Sequence, residues 1–263
     1  MESSIDKKVN FHTHCYRCKH AKGTVLQYAE EAVEKGLVTL GFSDHIPYPD
    51  DSFDLRMPYA DIEDYMDEVT ELKEELEGKI RILLGFEGEY LLRYTSYYEK
   101  LLTNGRCDYL ILGQHLLETK EGELFNVYQM KDTSLYEAYA ENVVESMRTG
   151  YFRYAAHPDL IFFNDHPWDV HCDRACDILI DGAAKHGFAL EYNANGLRRG
   201  EKAYSDGKRY PYPHKNFWDR VAGSGISVYV GSDCHEPAVL YDSCMDLAYE
   251  NLAGRNIPVC TDI

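Results

Sequence analysis

No run of the 263-residue chain approaches the roughly 18 apolar residues that span a bilayer. The segment MESSIDKKVNFHTHC also lacks the apolar core of a signal peptide. A cytoplasmic address without membrane contact is therefore expected. Positive charge is scarce: 27 Lys and Arg face 45 Asp and Glu, for a formal net charge of -18. Non-specific nucleic-acid affinity comes from Lys and Arg displacing counterions, so this balance disfavours a nucleic-acid partner. Cysteine, at 8 residues, is too sparse for a disulfide scaffold, and reduced thiols are expected. Cys15-x2-Cys18 and Cys172-x3-Cys176 have spacings compatible with a four-thiolate zinc site. The second pair, however, falls at helical spacing, where cysteines pack as small apolar residues. Repeats, low-complexity tracts and linkers are missing as well. The length then suits one domain over 1–263, since single α/β barrels run to about 250 residues.

What is present is alternation. Short β-branched or aromatic runs at 9–14, 38–45, 79–87, 109–115, 152–157, 188–193 and 227–233 read as strands. Between them, amphipathic stretches at 24–35, 59–77, 94–103, 133–149, 173–187, 214–223 and 238–253 read as helices. The acids from Asp61 to Glu77 form the solvated face of the second helix, because Ile62, Tyr65, Met66, Val69, Leu72 and Leu76 recur at helical spacing. Seven βα units in series predict an α/β fold with a parallel sheet. The stretch 198–213 is the longest predicted loop, and long loops in compact domains are often functional.

Metal-type residues fall at the ends of those strands. His12 and His14 close the first, Asp44 and His45 the second, Glu87 the third, His115 the fourth, His157 the fifth, and Asp233 and His235 the seventh. In a parallel barrel the carboxyl ends of all strands converge on one face, where active sites are assembled. Adding His20, seven of the 11 histidines belong to this set. Seven imidazoles with Glu87 and Asp233 exceed the four ligands of one tetrahedral ion, and suit two or three divalent ions such as zinc, iron or manganese. Glu87 is the candidate bridging carboxylate. Glu89, two residues on and on the same strand face, is its competitor. His166, His171, His186 and His214 are expected in surface roles.

The segments FHTHC, GFSDHIPYP, GFEGEY, LGQH, AAHPDL and GSDCHEP, in that order, closely resemble the metal-binding motifs of the PHP (polymerase and histidinol phosphatase) superfamily. His20-Ala21, EYNANGLRRG and the later YPYP are similar to its histidinol-phosphatase branch. The resemblance implies a distorted seven-stranded (β/α)7 barrel with a three-metal centre. It implies His12, His14, Glu87 and Asp233 on one ion, Glu87, His115 and His157 on a second, and His20, His45 and His235 on the third. Asp44 would orient His45 or a water from behind, and Asp44, His45, Glu87 and Asp233 form the expected catalytic set.

The implied activity is metal-dependent hydrolysis of a small phosphomonoester, L-histidinol phosphate in histidine biosynthesis. A phosphoesterase or exonuclease acting on nucleotides or nucleic-acid ends is the alternative, and a metal-binding module without turnover is a further one. One departure bears on the substrate. Where family phosphatases often carry a basic residue after HPDL, this chain reads Ile161-Phe162-Phe163-Asn164. The phosphate clamp is therefore expected at Arg198 or Arg199, with Arg198 preferred, Arg17 and Lys22 as weaker candidates, and Asn193 in the same substrate-binding set.

Overall fold

The computed structural model describes residues 8–263. In chain order its elements are β1 (Val9–Asn10), α1 (Val25–Glu34), β2 (Thr39–His45), α2 (Ile62–Glu75), β3 (Arg81–Gly88), α3 (Thr95–Thr103) and β4 (Tyr109–Leu112). There follow β5 (Leu116–Glu118), β6 (Leu124–Asn126), α4 (Tyr136–Met147), β7 (Tyr154–Ala155), α5 (Val170–His186), β8 (Ala189–Asn193) and α6 (Ala194–Arg198). The last are β9 (Lys202–Tyr204), β10 (Gly207–Arg209), α7 (Lys215–Val221), β11 (Val228–Gly231) and α8 (Ser243–Ala253). Local chemistry sets several boundaries. Thr24 and Gln27 close a reciprocal capping box on α1. Asp169 caps α5, which ends at Gly187 with φ 59°. On α2 the apolar Ile62, Tyr65, Met66, Val69 and Leu72 are buried, which leaves its acids facing water.

Seven strands pair in parallel in the order β1-β2-β3-β4-β7-β8-β11. The sheet curls into a nearly closed barrel. Across its remaining seam Thr13 bridges Cys234, with the His14 amide donating to the Cys234 carbonyl at 3.1 Å. Phe11, Leu83, Tyr109, Ile111, Tyr154 and Tyr229 fill the interior below the site. Tyr109 hydroxyl donates to the carbonyls of Phe11 and Phe42 at 2.8 and 3.0 Å, so this buried polar atom is satisfied. No helix among the described residues is long and apolar enough to cross a membrane.

The expected strands and main helices are present, with shorter ladders. β1 pairs over Val9–Asn10 only, because Asn10 turns its amide onto the His12 carbonyl and the Thr13 hydroxyl and the chain leaves the sheet. Two hairpins, β5–β6 and β9–β10, were not expected, and the second occupies the predicted loop. The short α6 also escaped prediction; Asn193 nucleates it by accepting from the amides of Asn195 and Gly196. The eight cysteines are free. Cys172 and Cys176 pack in α5, away from Cys15 and Cys18, so no four-thiolate site forms.

Candidate metal centre

The carboxyl ends of the strands bring the predicted residues together. His12, His14, His20, His45, His115, His157 and His235, with Glu87 and Asp233, supply overlapping groups of three whose donor atoms lie within 4.8 Å of one another. Glu87 lies at the middle. Its Oε1 is 3.4 Å from His12 Nε2, 3.6 Å from His115 Nε2 and 2.9 Å from His157 Nε2. Its Oε2 is 3.4 Å from His14 Nε2 and 3.0 Å from His45 Nδ1. Asp233 Oδ1 faces His14 Nε2 at 3.3 Å and His12 Nε2 at 3.7 Å. A third group holds His20, His45 and His235, with the Nε2 atoms of His20 and His235 2.9 Å apart. The groups differ from expectation in three respects: His157 falls with His12 and Asp233, His45 falls with Glu87 and His115 as well as with His20 and His235, and His14 and His235 also fall with the Cys18 thiol.

The opposite ring nitrogens are held from behind. His12 Nδ1 meets Glu191 Oε1 at 2.8 Å, His115 Nδ1 meets Glu89 Oε1 at 3.1 Å, and His14 Nδ1 faces Asp44 at 3.4 Å. His20 and His235 use the backbone carbonyls of Cys18 and Asp233. Fixing Nδ1 in this way directs the Nε2 lone pair inward, the arrangement metal-binding histidines need. The Nδ1 atoms of His45 and His157 are buried without a hydrogen-bond partner. His45 Nδ1 lies close to Glu87 Oε2 yet outside hydrogen-bonding geometry, as two donors sharing an ion would. Two of the candidates, His157 (φ 31°) and Asp233 (φ 47°), sit in the left-handed region, a backbone strain that concentrates at functional sites.

Electrostatics fit cations in the same place. Burial opposes the charged ring of His14, but hydrogen bonds with Asp233 and Asp44 raise it to about 9. Burial and then the charge on His14 push His45 down to about 3 and His235 to about 4. Although burial works against their charge, Glu87 and Asp233 are held well below the usual carboxylate range by the surrounding histidines. The nest of carboxylates thus keeps protons on some imidazoles as its counter-charge. Divalent ions would displace those protons and satisfy the same oxygens.

Space for the carboxylates is built into two glycines. A Cβ on Gly113 would collide with Glu87 Oε1, and one on Gly231 would collide with Glu191 Oε1. Glu191 is a residue that sequence reasoning noted only as polar. It is fully buried, holds His12, and accepts from the His157 amide at 3.1 Å and from Asn193 at 2.8 Å. Its place at the end of the sixth strand was the available signal.

Glu89 does not share the centre of the cluster with Glu87. Its carboxylate stands behind His115, where it also accepts from Arg56 at 2.8 Å and Tyr48 at 3.0 Å. Burial would raise its pKa, but Arg56 and His115 hold it at about 2. Asp44 likewise departs from its expected role. It accepts from the His45 amide at 2.8 Å and from the Cys15 thiol at 3.0 Å, and the imidazole it supports is that of His14.

The cluster floors a cavity of about 730 Å³ whose walls include Arg56, Tyr128, Asn195, Arg198 and Arg199. That volume lies in the usual range for small-molecule sites. The expected clamp residues separate here. Arg198 donates to both oxygens of Asp242, at 2.8 and 3.1 Å, and to Ser232 and the Val239 carbonyl, which commits its guanidinium to the fold. Arg17 pairs with Glu68 and the exposed Lys22 with Glu236, and neither lines the cavity. Asn193 is bound between Glu191 and Asp233, and this removes it from substrate binding. Arg199 lies over the rings of Phe163 and Tyr212 and has no carboxylate partner among the described residues. His214, expected at the surface, is buried, faces Asp206 at 3.2 Å and caps α7.

A cluster of histidine and carboxylate donors at the carboxyl end of a (β/α)7 barrel, open to a small-molecule cavity, defines a metallohydrolase type of protein. The chain belongs to the PHP domain family, whose model matches residues 10–195, and within it to the histidinol-phosphatase branch. It is 31% identical over 256 residues to a probable histidinol-phosphatase of Deinococcus radiodurans, covering 94% of each chain. It is 27% identical to the histidinol-phosphatase of Bacillus subtilis, covering 88% of this chain and 94% of the relative. The fold also matches that of the histidinol phosphate phosphatase of Lactococcus lactis, solved with zinc, L-histidinol and phosphate. The TM-score is 0.70 at 16% identity, over 96% of this chain and 95% of the other.

Proposed function

We propose that the protein is a metal-dependent phosphomonoesterase that hydrolyses L-histidinol phosphate to L-histidinol and phosphate in histidine biosynthesis. The observation that carries the reading is the donor cluster flooring a cavity with an uncommitted guanidinium, Arg199, in its wall. The names of the full-length relatives support the substrate. Two to three divalent ions, of zinc, iron or manganese, would be held by His12, His14, Glu87 and Asp233, by Glu87, His115 and His157, and by His20, His45 and His235. Glu87 would be the shared carboxylate, since its two oxygens face different histidines.

When bound, the ions supply Lewis-acid charge to the phosphoryl oxygens and lower the pKa of water toward ~7. The chain's residues do the rest. Arg199 grips the dianion through paired N–H donors, a geometry Lys lacks. Phe163 and Tyr212 hold that guanidinium against the wall by their ring faces and leave it open to the cavity. Glu191, Glu89 and Asp44 fix the imidazoles, so the site is organised before substrate arrives.

The test is hydrolysis of a panel by protein purified without chelator: L-histidinol phosphate, nucleotides, phosphotyrosine and a phosphodiester, with elemental analysis of the same sample. Preferential turnover of L-histidinol phosphate with two to three ions per chain is expected. Preference for a nucleotide or diester, or one ion or fewer after reloading, overturns the reading.

A further inference from the structure

Of the charged side chains in the cavity wall outside the donor cluster, most are already committed. Arg56 pairs with Glu89, and Arg198 with Asp242. Two are not, and they have opposite signs: Arg199 and Asp54. Asp54 has no hydrogen-bond or ion-pair partner among the described residues. It belongs to the loop between β2 and α2, whose Phe53 and Leu55 also line the cavity. Leu55 is 56% exposed there, with φ 58°.

That loop is pinned on both sides of its tip. Asp50 accepts from the Tyr94 hydroxyl at 2.7 Å, and Asp51 accepts from the Tyr59 amide at 2.7 Å. On the other side, Arg56 is anchored to Glu89, the carboxylate behind His115. The tip therefore presents a carboxylate between two apolar side chains from a braced base. A phosphomonoester bound by the cluster and Arg199 must project its leaving group into the rest of the cavity. The chemistry offered there suits an ammonium group carried on an apolar or aromatic body.

We propose that Phe53, Asp54 and Leu55 form the leaving-group subsite, with Asp54 receiving the ammonium of an amino-alcohol phosphate. The proposal rests on the phosphomonoesterase reading and deepens it. Asp54 acts on specificity and touches none of the reacting atoms. Loss of a charge-assisted contact of about 1.4 kcal/mol corresponds to tenfold.

The experiment compares L-histidinol phosphate with its deaminated analogue, 3-(imidazol-4-yl)propyl phosphate, in wild type and Asp54→Asn. Wild type should favour the aminated ester by about tenfold or more in kcat/KM, and Asp54→Asn should abolish most of that preference. L-Histidinol affinity, measured by calorimetry in the presence of phosphate, should fall with it, while inorganic phosphate affinity and metal content stay at wild-type values. A wild type without preference for the amine overturns the proposal. So does an Asp54→Asn variant that keeps the preference, or one that loses activity equally on both esters. If L-histidinol phosphate is no better than phenyl phosphate, the substrate reading fails separately. The subsite is then judged on phosphoethanolamine against ethyl phosphate by the same criteria.

Discussion

Replacing Arg198 and Arg199 one at a time by Ala should give opposite phenotypes. Arg198 donates to two Asp242 oxygens, to the Ser232 hydroxyl and to the carbonyls of Ser232 and Val239, tying α6 to the segment that opens α8. Removing one partner of a fully buried pair costs about 3–5 kcal/mol. Asp242 is 23% exposed at its side chain and still accepts from the amides of Cys244 and Met245, which reduces the loss. About 2–3 kcal/mol remains, and for a chain of this size that lowers Tm by roughly 5–10 °C. Arg199 stacks on two rings and pairs with no carboxylate, so its removal should change Tm little. Its loss deprives the phosphoryl group of a bidentate contact worth about 1.5–3 kcal/mol, a fall of roughly 10- to 150-fold in kcat/KM. Arg199→Lys should fall between, because it keeps the charge without the fork. The assay is steady-state kinetics alongside thermal unfolding at equal metal loading. An Arg198→Ala protein with normal Tm and crippled kinetics, beside an Arg199→Ala protein with wild-type kinetics, would refute the reasoning.

Three other outcomes are expected. Glu87→Ala should lose bound metal and nearly all activity, whereas Glu89→Ala should retain most of its metal and lose activity less severely. Equal metal loss by elemental analysis would contradict the separation of the two glutamates. Gly113→Ala should fold with an unchanged far-ultraviolet spectrum yet purify metal-poor, since the added Cβ displaces Glu87; full metal content would show that the carboxylate has room to move. His214 is held neutral at about 4, first by burial and then by the charge on Arg209. Its folded pKa lies below the unfolded 6.5, so the unfolded chain binds the extra proton and stability falls by up to about 1.4 kcal/mol per pH unit as pH drops from 6.5 toward 4. His214→Asn keeps an amide able to cap α7 and removes that titration. Denaturant unfolding should therefore show a shallower acid slope in the variant; parallel slopes would rule this group out.

The sequence showed the metal centre because each strand ends in a ligand type and parallel strands share one end. Period-two reasoning put Glu87 and Glu89 on one face, but it could not divide their tasks. That division depends on which ring nitrogen of His115 each carboxylate meets, Nε2 for Glu87 and Nδ1 for Glu89, and His115 follows the neighbouring strand. Arg198 was preferred over Arg199 for the same reason, since its partner Asp242 lies 44 positions away and no local pattern links them. The hairpins were missed because β5–β6 and β9–β10 have only three residues per strand, too short to show a period. Cys15 illustrates the limit well. Its spacing to Cys18 matches a zinc pair, yet its thiol serves the Asp44 carboxylate, while Cys18 lies near His14 and His235.

The barrel's seam gives the centre a second consequence, in the order of assembly. β1 and β11 meet through a single bridge, so few backbone bonds hold the first strand to the last. On the proposed assignment, the ion bound by His12, His14, Glu87 and Asp233 joins those two strands through its own coordination sphere. An ion held by His20, His45 and His235 would fasten the same margin. Neither set exists until a ribosome has released residues 233 and 235, whereas Glu87, His115 and His157 emerge together much earlier. On that assignment metal uptake would be coupled to barrel closure, and in the metal-free chain opening would begin at the margin between β1 and β11, the one held by a single bridge.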